Sequence, residues 1–169
     1  MLFRSALAIF TSGQMDRAVV ALDQILAKGH QDAFIYVLRG KALLAKDPDK
    51  ALADFDRALR LKPEFGDAYA SRGSVWLKKK DYTRALADLD RAIALEGGKI
   101  PTYYAPASVY EAQGKMDLAT SDLRKAAELQ PKNVFDILAQ ADAKRRLQAI
   151  DKGTPCGSAG AESGGAKCL

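Results

Sequence analysis

The stretch GDAYASRGSVWLKKKDYTRALADLDRAIALEGGK, residues 66–99, decides the fold, because it reads as two amphipathic stripes separated by a turn. Tyr69, Gly73 and Trp76 fall at i, i+4 and i+7, and Ala85, Leu89 and Ala92 repeat that spacing. Each set therefore lies on one face of a helix with its characteristic period. Between them, Lys79-Lys80-Asp81 has turn composition. The small residue in the middle of the first stripe, Gly73, lets a second helix approach closely, and the aromatics beside it fill the remaining space. The stretch predicts a helical hairpin, with Trp76 where the second and third hairpins meet the core.

Outward from this stretch the same columns recur. Ala18, Ala51, Ala85 and Ala119 stand 33, 34 and 34 residues apart. Leu22, Phe55, Leu89 and Leu123 keep that register, as do Ile25, Ala58, Ala92 and Ala126, and then Lys28, Leu61, Leu95 and Leu129. Upstream in each unit stand Leu2, Tyr36, Tyr69 and Tyr103, then Ala6, Gly40, Gly73 and Ala107, then Ile9, Leu43, Trp76 and Tyr110. Such self-similarity marks a repeat architecture. The breaks inside the other units are Ser12-Gly13-Gln14, Lys46-Asp47-Pro48-Asp49 and Gln113-Gly114-Lys115. Pro63, Pro131, Gly29-His30 and Gly97-Gly98 stand where units end.

On these residues the chain resembles the tetratricopeptide-repeat family, in a bacterial-type form. Residues 66–99 carry nearly the whole pattern in Tyr69, Gly73, Trp76, Tyr82, Ala85, Leu89 and Ala92. Residues 33–65 show it with one residue deleted at the turn, residues 100–133 with Ala107 where glycine is commoner, and residues 1–32 with the first two positions lacking. The resemblance covers about 1–150 and implies an all-α fold, a right-handed α-solenoid of helix-turn-helix hairpins. It also implies a concave groove lined by first helices, and a scaffold or peptide receptor without catalytic activity.

After the fourth unit, residues 134–150 read as a capping helix, with Ile137 and Ala141 continuing the packing stripe and Lys144, Arg145 and Arg146 on other faces. Residues 151–169 change character, with five of the thirteen glycines at 153–169, and read as a flexible tail. That tail holds Cys156 and Cys168, and its glycines let the two ends meet. A disulfide would contribute roughly 3 kcal/mol of loop-closure entropy; free thiols and metal binding remain alternatives. A bridge favours a periplasmic or exported location, whereas the lack of a recognisable signal peptide favours the cytoplasm.

Composition narrows the function further. The 169 residues are 48% hydrophobic, enough for a substantial core. Twenty-six Lys and Arg against 21 Asp and Glu leave a net charge of +5, too mild and too dispersed for a histone-like nucleic-acid binder. No apolar run approaches the roughly 20 residues of a membrane span. His30 is the single histidine and lies far from both cysteines in sequence, so neither a zinc site nor a Ser-His or Cys-His pair is expected. No phosphate-cradling glycine motif is present, and neither enzyme activity nor a cofactor is expected. His30 itself reads as a surface loop residue.

The groove that the resemblance implies is read by moving one residue, about 100°, round each first helix. This selects Phe3, Leu7 and Phe10; Val37, Lys41 and Leu44; Ala70, Ser74 and Leu77; and Tyr104, Ser108 and Glu111. The wall is apolar at its N-terminal end and polar at the other. The carboxylate-gripping members of the family line this wall with Lys, Arg and Asn, and here Lys41 is the one cation selected. An extended or helical protein or peptide ligand with apolar anchors fits better. Leu2 to Phe10 is apolar on almost every side, which suits self-association equally, and a regulatory arm of a larger protein is a further alternative. Asp54 with Arg57, Asp88 with Arg91 and Asp122 with Lys125 read as i, i+3 pairs on a solvated face. Lys78–Lys80 and Lys144–Arg146 are basic clusters without interleaved aromatics, which argues against nucleic acid.

Overall fold

A glycine or an aspartate stands in most of the turns that cut this chain into helices. In a computed structural model of the protein, residues 2–96 and 100–152 are described, with backbone alone at 96, 100–104 and 135. Nine helices appear among them, in the order α1 (Leu2–Thr11), α2 (Met15–Ala27), α3 (Ala33–Leu43), α4 (Pro48–Leu61), α5 (Gly66–Lys78), α6 (Tyr82–Glu96), α7 (Ile100–Ala112), α8 (Met116–Glu128) and α9 (Val134–Asp151). Cys156 and Cys168, and with them the choice between a disulfide, free thiols and metal binding, lie outside the described residues.

Local chemistry sets the boundaries. Asp32 caps α3 by accepting the Phe34 N–H, Asp47 caps α4 by accepting the Lys50 N–H, and Pro48 occupies the first turn, where its missing donor costs nothing. The Lys50 N–H and ammonium together hold the Asp47 carboxyl below the ordinary carboxylate range. Three of the hairpin turns need a left-handed residue. Gly13 and Gly114 supply it at φ +79° and +72°, and Lys80 adopts φ 61° at the equivalent place in the α5–α6 turn.

The described chain forms two compact units, Met1–Leu95 and Glu96–Leu169. In the first, α1 to α6 make three hairpins whose second helices bury Ala18, Leu22 and Ile25, then Ala51, Phe55 and Ala58, then Ala85, Leu89 and Ala92, none more than 3% exposed. The small-residue column explains itself here. A Cβ on Gly40 would lie 2.6 Å from the Phe55 ring, and one on Gly73 would lie 3.0 Å from the Leu89 side chain. Trp76 packs against this core but stays half-buried, with the Arg84 guanidinium 4.6 Å above its ring. The last column of the pattern divides: Lys28 is exposed and Leu61, at the end of α4, is 49% exposed, whereas Leu95 is half-buried and Leu129 packs against the core of the last hairpin.

In the second unit, α7 and α8 form the same hairpin, with Ala107, Ala119, Leu123 and Ala126 fully buried. Helix α9 packs on it through Ala139, Ala143, Leu147 and Ile150. Gln140 donates to the carbonyls of Ala127 and Leu129 at 2.9 and 2.7 Å, satisfying the end of α8. The expectation for the face of α9 is therefore corrected. Ile137 is 54% exposed, Val134 and Leu138 are 67% and 62% exposed, and Ala141 is exposed too, while Arg146, expected off the packing stripe, is buried. The reason is register. Ile137 and Ala141 continue the Tyr36–Tyr69–Tyr103 and Gly40–Gly73–Ala107 columns. Where these columns are seen packed, Gly40 on Phe55 and Gly73 on Leu89, they face the hairpin's own second helix. No second helix follows α9 among the described residues.

Candidate functional site

The first helices of Met1–Leu95 carry most of the side chains selected for the groove, and their fates differ. Phe3, Leu7 and Phe10 are half-buried, packed against Ala6, Leu22, Ile25, Ile35 and Leu38, so each divides its surface between the protein's own core and solvent. Val37 is a correction: it is wholly buried and presents nothing to a ligand. Helix α3 lies between two hairpins and is covered on nearly every side, including at Ile35, Tyr36, Leu38, Gly40 and Ala42. A one-residue rotation therefore moves from one packed face to another.

Lys41 reaches across to α5, its ammonium 2.7 Å from both carboxylate oxygens of Asp67. The charge is thus matched within the protein. Ser74 donates its hydroxyl to the Ala70 carbonyl at 3.0 Å, inside its own helix. Leu44, Ala70 and Leu77 are half-buried.

In the second unit the polar end of the expected wall is engaged by α9. Arg146 lies 2.5 and 3.1 Å from the two carboxylate oxygens of Glu111 and 3.4 Å from the Ser108 hydroxyl, and the Glu111 side chain is 11% exposed. Ser108 and Glu111 thus hold the last helix in place. The Tyr104 side chain lies outside the described residues.

A cleft of about 610 Å³ opens at the N-terminal end, lined by Leu2, Phe3, Ile25, His30, Asp32, Phe34 and Ile35. Phe34, which the stripe-based reading passed over, is its most exposed aromatic at 40%. It sits 5.9 Å from the Phe3 ring in a tilted pair and 6.4 Å from the Phe65 ring in a stacked one, and Lys62 lies 4.8 Å over Phe65. Three rings from three successive hairpins make one row, with geometry that favours aromatic pairing. The helix caps place it: Asp32 starts α3 just before Phe34, and Phe65 stands at the start of α5. The sequence signal was faint, because these phenylalanines recur at 31 residues while the apolar columns recur at 33 or 34. His30, expected as a plain loop residue, is exposed at the rim of this cleft.

The larger omission was a relay of buried charge. Arg39 donates to both oxygens of Asp54 at 2.6 and 2.7 Å and to Asp23 at 2.6 Å, joining α2, α3 and α4. Arg72 repeats the arrangement with Asp88 at 2.7 and 2.8 Å and Asp56 at 2.6 Å, joining α4, α5 and α6. Hydrogen bonding to Asp54 and to Asp88 outweighs the cost of burial, so both guanidinium groups are held more firmly charged than usual. The expected solvated pairs are corrected accordingly. Asp54 and Asp88 are buried and bind these arginines, and Arg57 lies over the Tyr36 ring; Asp122 does pair with Lys125, at 3.0 Å. The sequence carries this relay in three columns at the repeat spacing: Arg39 with Arg72, Asp23 with Asp56, and Asp54 with Asp88.

Part of each basic cluster is likewise taken up by partners within the protein. Lys79 pairs with Asp49 at 2.8 Å, Arg145 with Asp142, and Arg146 with Glu111. Among the described residues no group of three His, Cys, Asp or Glu side chains gathers as a metal site, and no helix is long and apolar enough to cross a membrane.

Two family models, both described as tetratricopeptide repeat, match residues 42–99 and 100–133. No curated protein matches the sequence. Among solved structures the chain is similar to a thermophilic tetratricopeptide-repeat protein of Thermus thermophilus, at 24% identity and a TM-score of 0.72, over 85% of this chain and 80% of that one. It is also similar to MamA, residue 41 to the end, from Desulfovibrio magneticus RS-1, at 20% identity and 0.68, over 90% and 94%. The first such domain of Spaghetti (RPAP3), bound to an HSP90 peptide SRMEEVD, is similar at 20% identity and 0.56, over 70% and 94%.

Proposed function

Because the chain belongs to the tetratricopeptide-repeat family, in the α-solenoid fold class, we propose that it is a non-enzymatic scaffold that holds a peptide or protein on the apolar face of its N-terminal unit. The observation that carries this reading is the cleft between Phe3, Ile25 and Phe34, continued by the ring of Phe65. An aromatic side chain buried there gains roughly 1.5 to 3 kcal/mol from apolar burial alone. His30 and Asp32 at the margin supply the few polar groups that orient a ligand.

The acidic peptide held by the RPAP3 domain does not transfer to this chain. Lys41, the cation selected for the groove, is already paired with Asp67. The ligand that fits is an extended or helical segment with two apolar anchors.

Panning a displayed random-peptide library on the full chain should recover sequences with paired aromatic or aliphatic residues. Phe3→Asp with Phe34→Asp should weaken the recovered peptides by roughly a hundredfold or more, since two apolar contacts are lost, while circular dichroism stays helical. Ser74→Ala should bind as the parent does, and added salt should change affinity little. Full binding by the double variant, or a steep loss with salt, would overturn the assignment.

A further inference from the structure

The exposed stripe of α9 is the one helix face in the described chain whose missing neighbour the chain itself specifies. Val134, Ile137, Leu138 and Ala141 fall at i, i+3, i+4 and i+7, and all four are exposed. Repeat proteins ordinarily turn a polar face outward at their ends. The columns to which Ile137 and Ala141 belong are covered elsewhere in the chain by an antiparallel helix placing a large side chain on the small residue: Phe55 on Gly40, and Leu89 on Gly73. Residues 153–169, with five glycines, do not repeat the alternation of small and large apolar residues found on second helices.

We infer that α9 pairs antiparallel with α9 of a second copy of this chain. The stripe is its own complement. It carries the small residue, Ala141, and the large ones, Ile137 and Leu138, one turn apart. A two-fold axis between them sets Ala141 of each copy against Leu138 and Ile137 of the other, so each helix plays the second helix of the other's fifth hairpin. Such a patch is isologous and closes as a dimer. Charge permits the pairing. With 1.5 Å of rise per residue, the two copies of Lys144 stand about 14 Å apart along the pair and those of Arg145, which Asp142 already pairs, about 17 Å, both beyond a Debye length in physiological salt. Two stripes of four residues fall below the usual size of a permanent interface, so the dimer belongs to the weak, reversible class.

Sedimentation equilibrium on the full chain, from low micromolar to submillimolar concentration, should show the weight-average mass climbing from 18.3 kDa toward twice that value. Ile137→Asp with Leu138→Asp should hold it at 18.3 kDa, with the helical circular dichroism of the parent, since both side chains are exposed. In a background with Cys156→Ser and Cys168→Ser, a mixture of Leu138→Cys and Ala141→Cys chains should form a disulfide-linked dimer under mild oxidation faster than either variant alone. A monomer throughout, a dimer that survives the two aspartates, or cross-linking without this directional preference would overturn the inference.

Discussion

Met1–Leu95 and Glu96–Leu169 use the same apolar columns but hold their helices together with different polar chemistry. In the first unit α3 and α5 each send an arginine to the second helices on either side. In the second, thirty-four residues after Arg72, the place is taken by Pro106, fully buried inside α7. There the buried guanidinium comes instead from Arg146 of α9, on Glu111. The hairpin therefore rests on its small and large apolar residues, and the ionic clamp is a separable addition.

Arg72→Met should break that comparison most severely, because it leaves Asp88, whose side chain is 9% exposed, without its partner. Losing one member of a buried ion pair costs about 3 to 5 kcal/mol. Urea denaturation should show this loss, and Arg72→Met with Asp88→Leu should recover most of it. A double variant no more stable than the single one would mean that the pair is needed for more than charge matching.

Gly40→Ala comes next. Its Cβ would meet the Phe55 ring at 2.6 Å, and overpacking of this kind costs roughly 1 to 3 kcal/mol. In the second unit Ala107 already fills this column opposite the smaller Leu123, so Ala107→Gly should cost only about 0.5 to 1 kcal/mol, from backbone entropy. Equal melting temperatures for Gly40→Ala and its parent would show that the ring can swing aside.

The smallest effect is expected at the turns. Gly114 holds a left-handed conformation without strain, whereas Lys80 at the equivalent place has a Cβ to accommodate. Lys80→Gly should stabilise the first unit by about 1 kcal/mol, seen as a raised urea midpoint at unchanged slope. A lowered midpoint would show that the lost entropy of glycine outweighs the relieved strain.

How much of this was legible in the sequence follows from where periodicity carries information. The hairpins were legible because Ala85, Leu89 and Ala92 sit at helical spacing and return every 33 or 34 residues, a double constraint that few folds satisfy. The family was readable on the same residues. The site was less so. Rotating one residue from the packing stripe assumes that each first helix has an open side, and α3, enclosed between neighbours, has almost none, so Val37 was misplaced. Phe34 escaped because it belongs to the start of a helix, where the cap sets position and the 3.6-residue period does not. Asp54 and Asp88 look solvated in sequence because a carboxylate beside a local arginine looks paired already, and only tertiary packing brings Arg39 and Arg72 to them.

The relay also bears on how such a chain grows. Arg39–Asp54 and Arg72–Asp88 each close within one hairpin, while the links to Asp23 and Asp56 are made with the hairpin before. A duplicated copy of either middle hairpin would thus carry its buried pair intact and would find, in its neighbour, an aspartate already waiting for its arginine. A copy of the hairpin with Pro106 would bring no guanidinium, and it holds Arg124 where the middle hairpin has Asp56, so it offers a following arginine no aspartate. Lengthening by tandem duplication is electrostatically neutral in the middle of this chain and disruptive from its C-terminal side, so the two arginine hairpins are the natural stock from which further repeats would be copied.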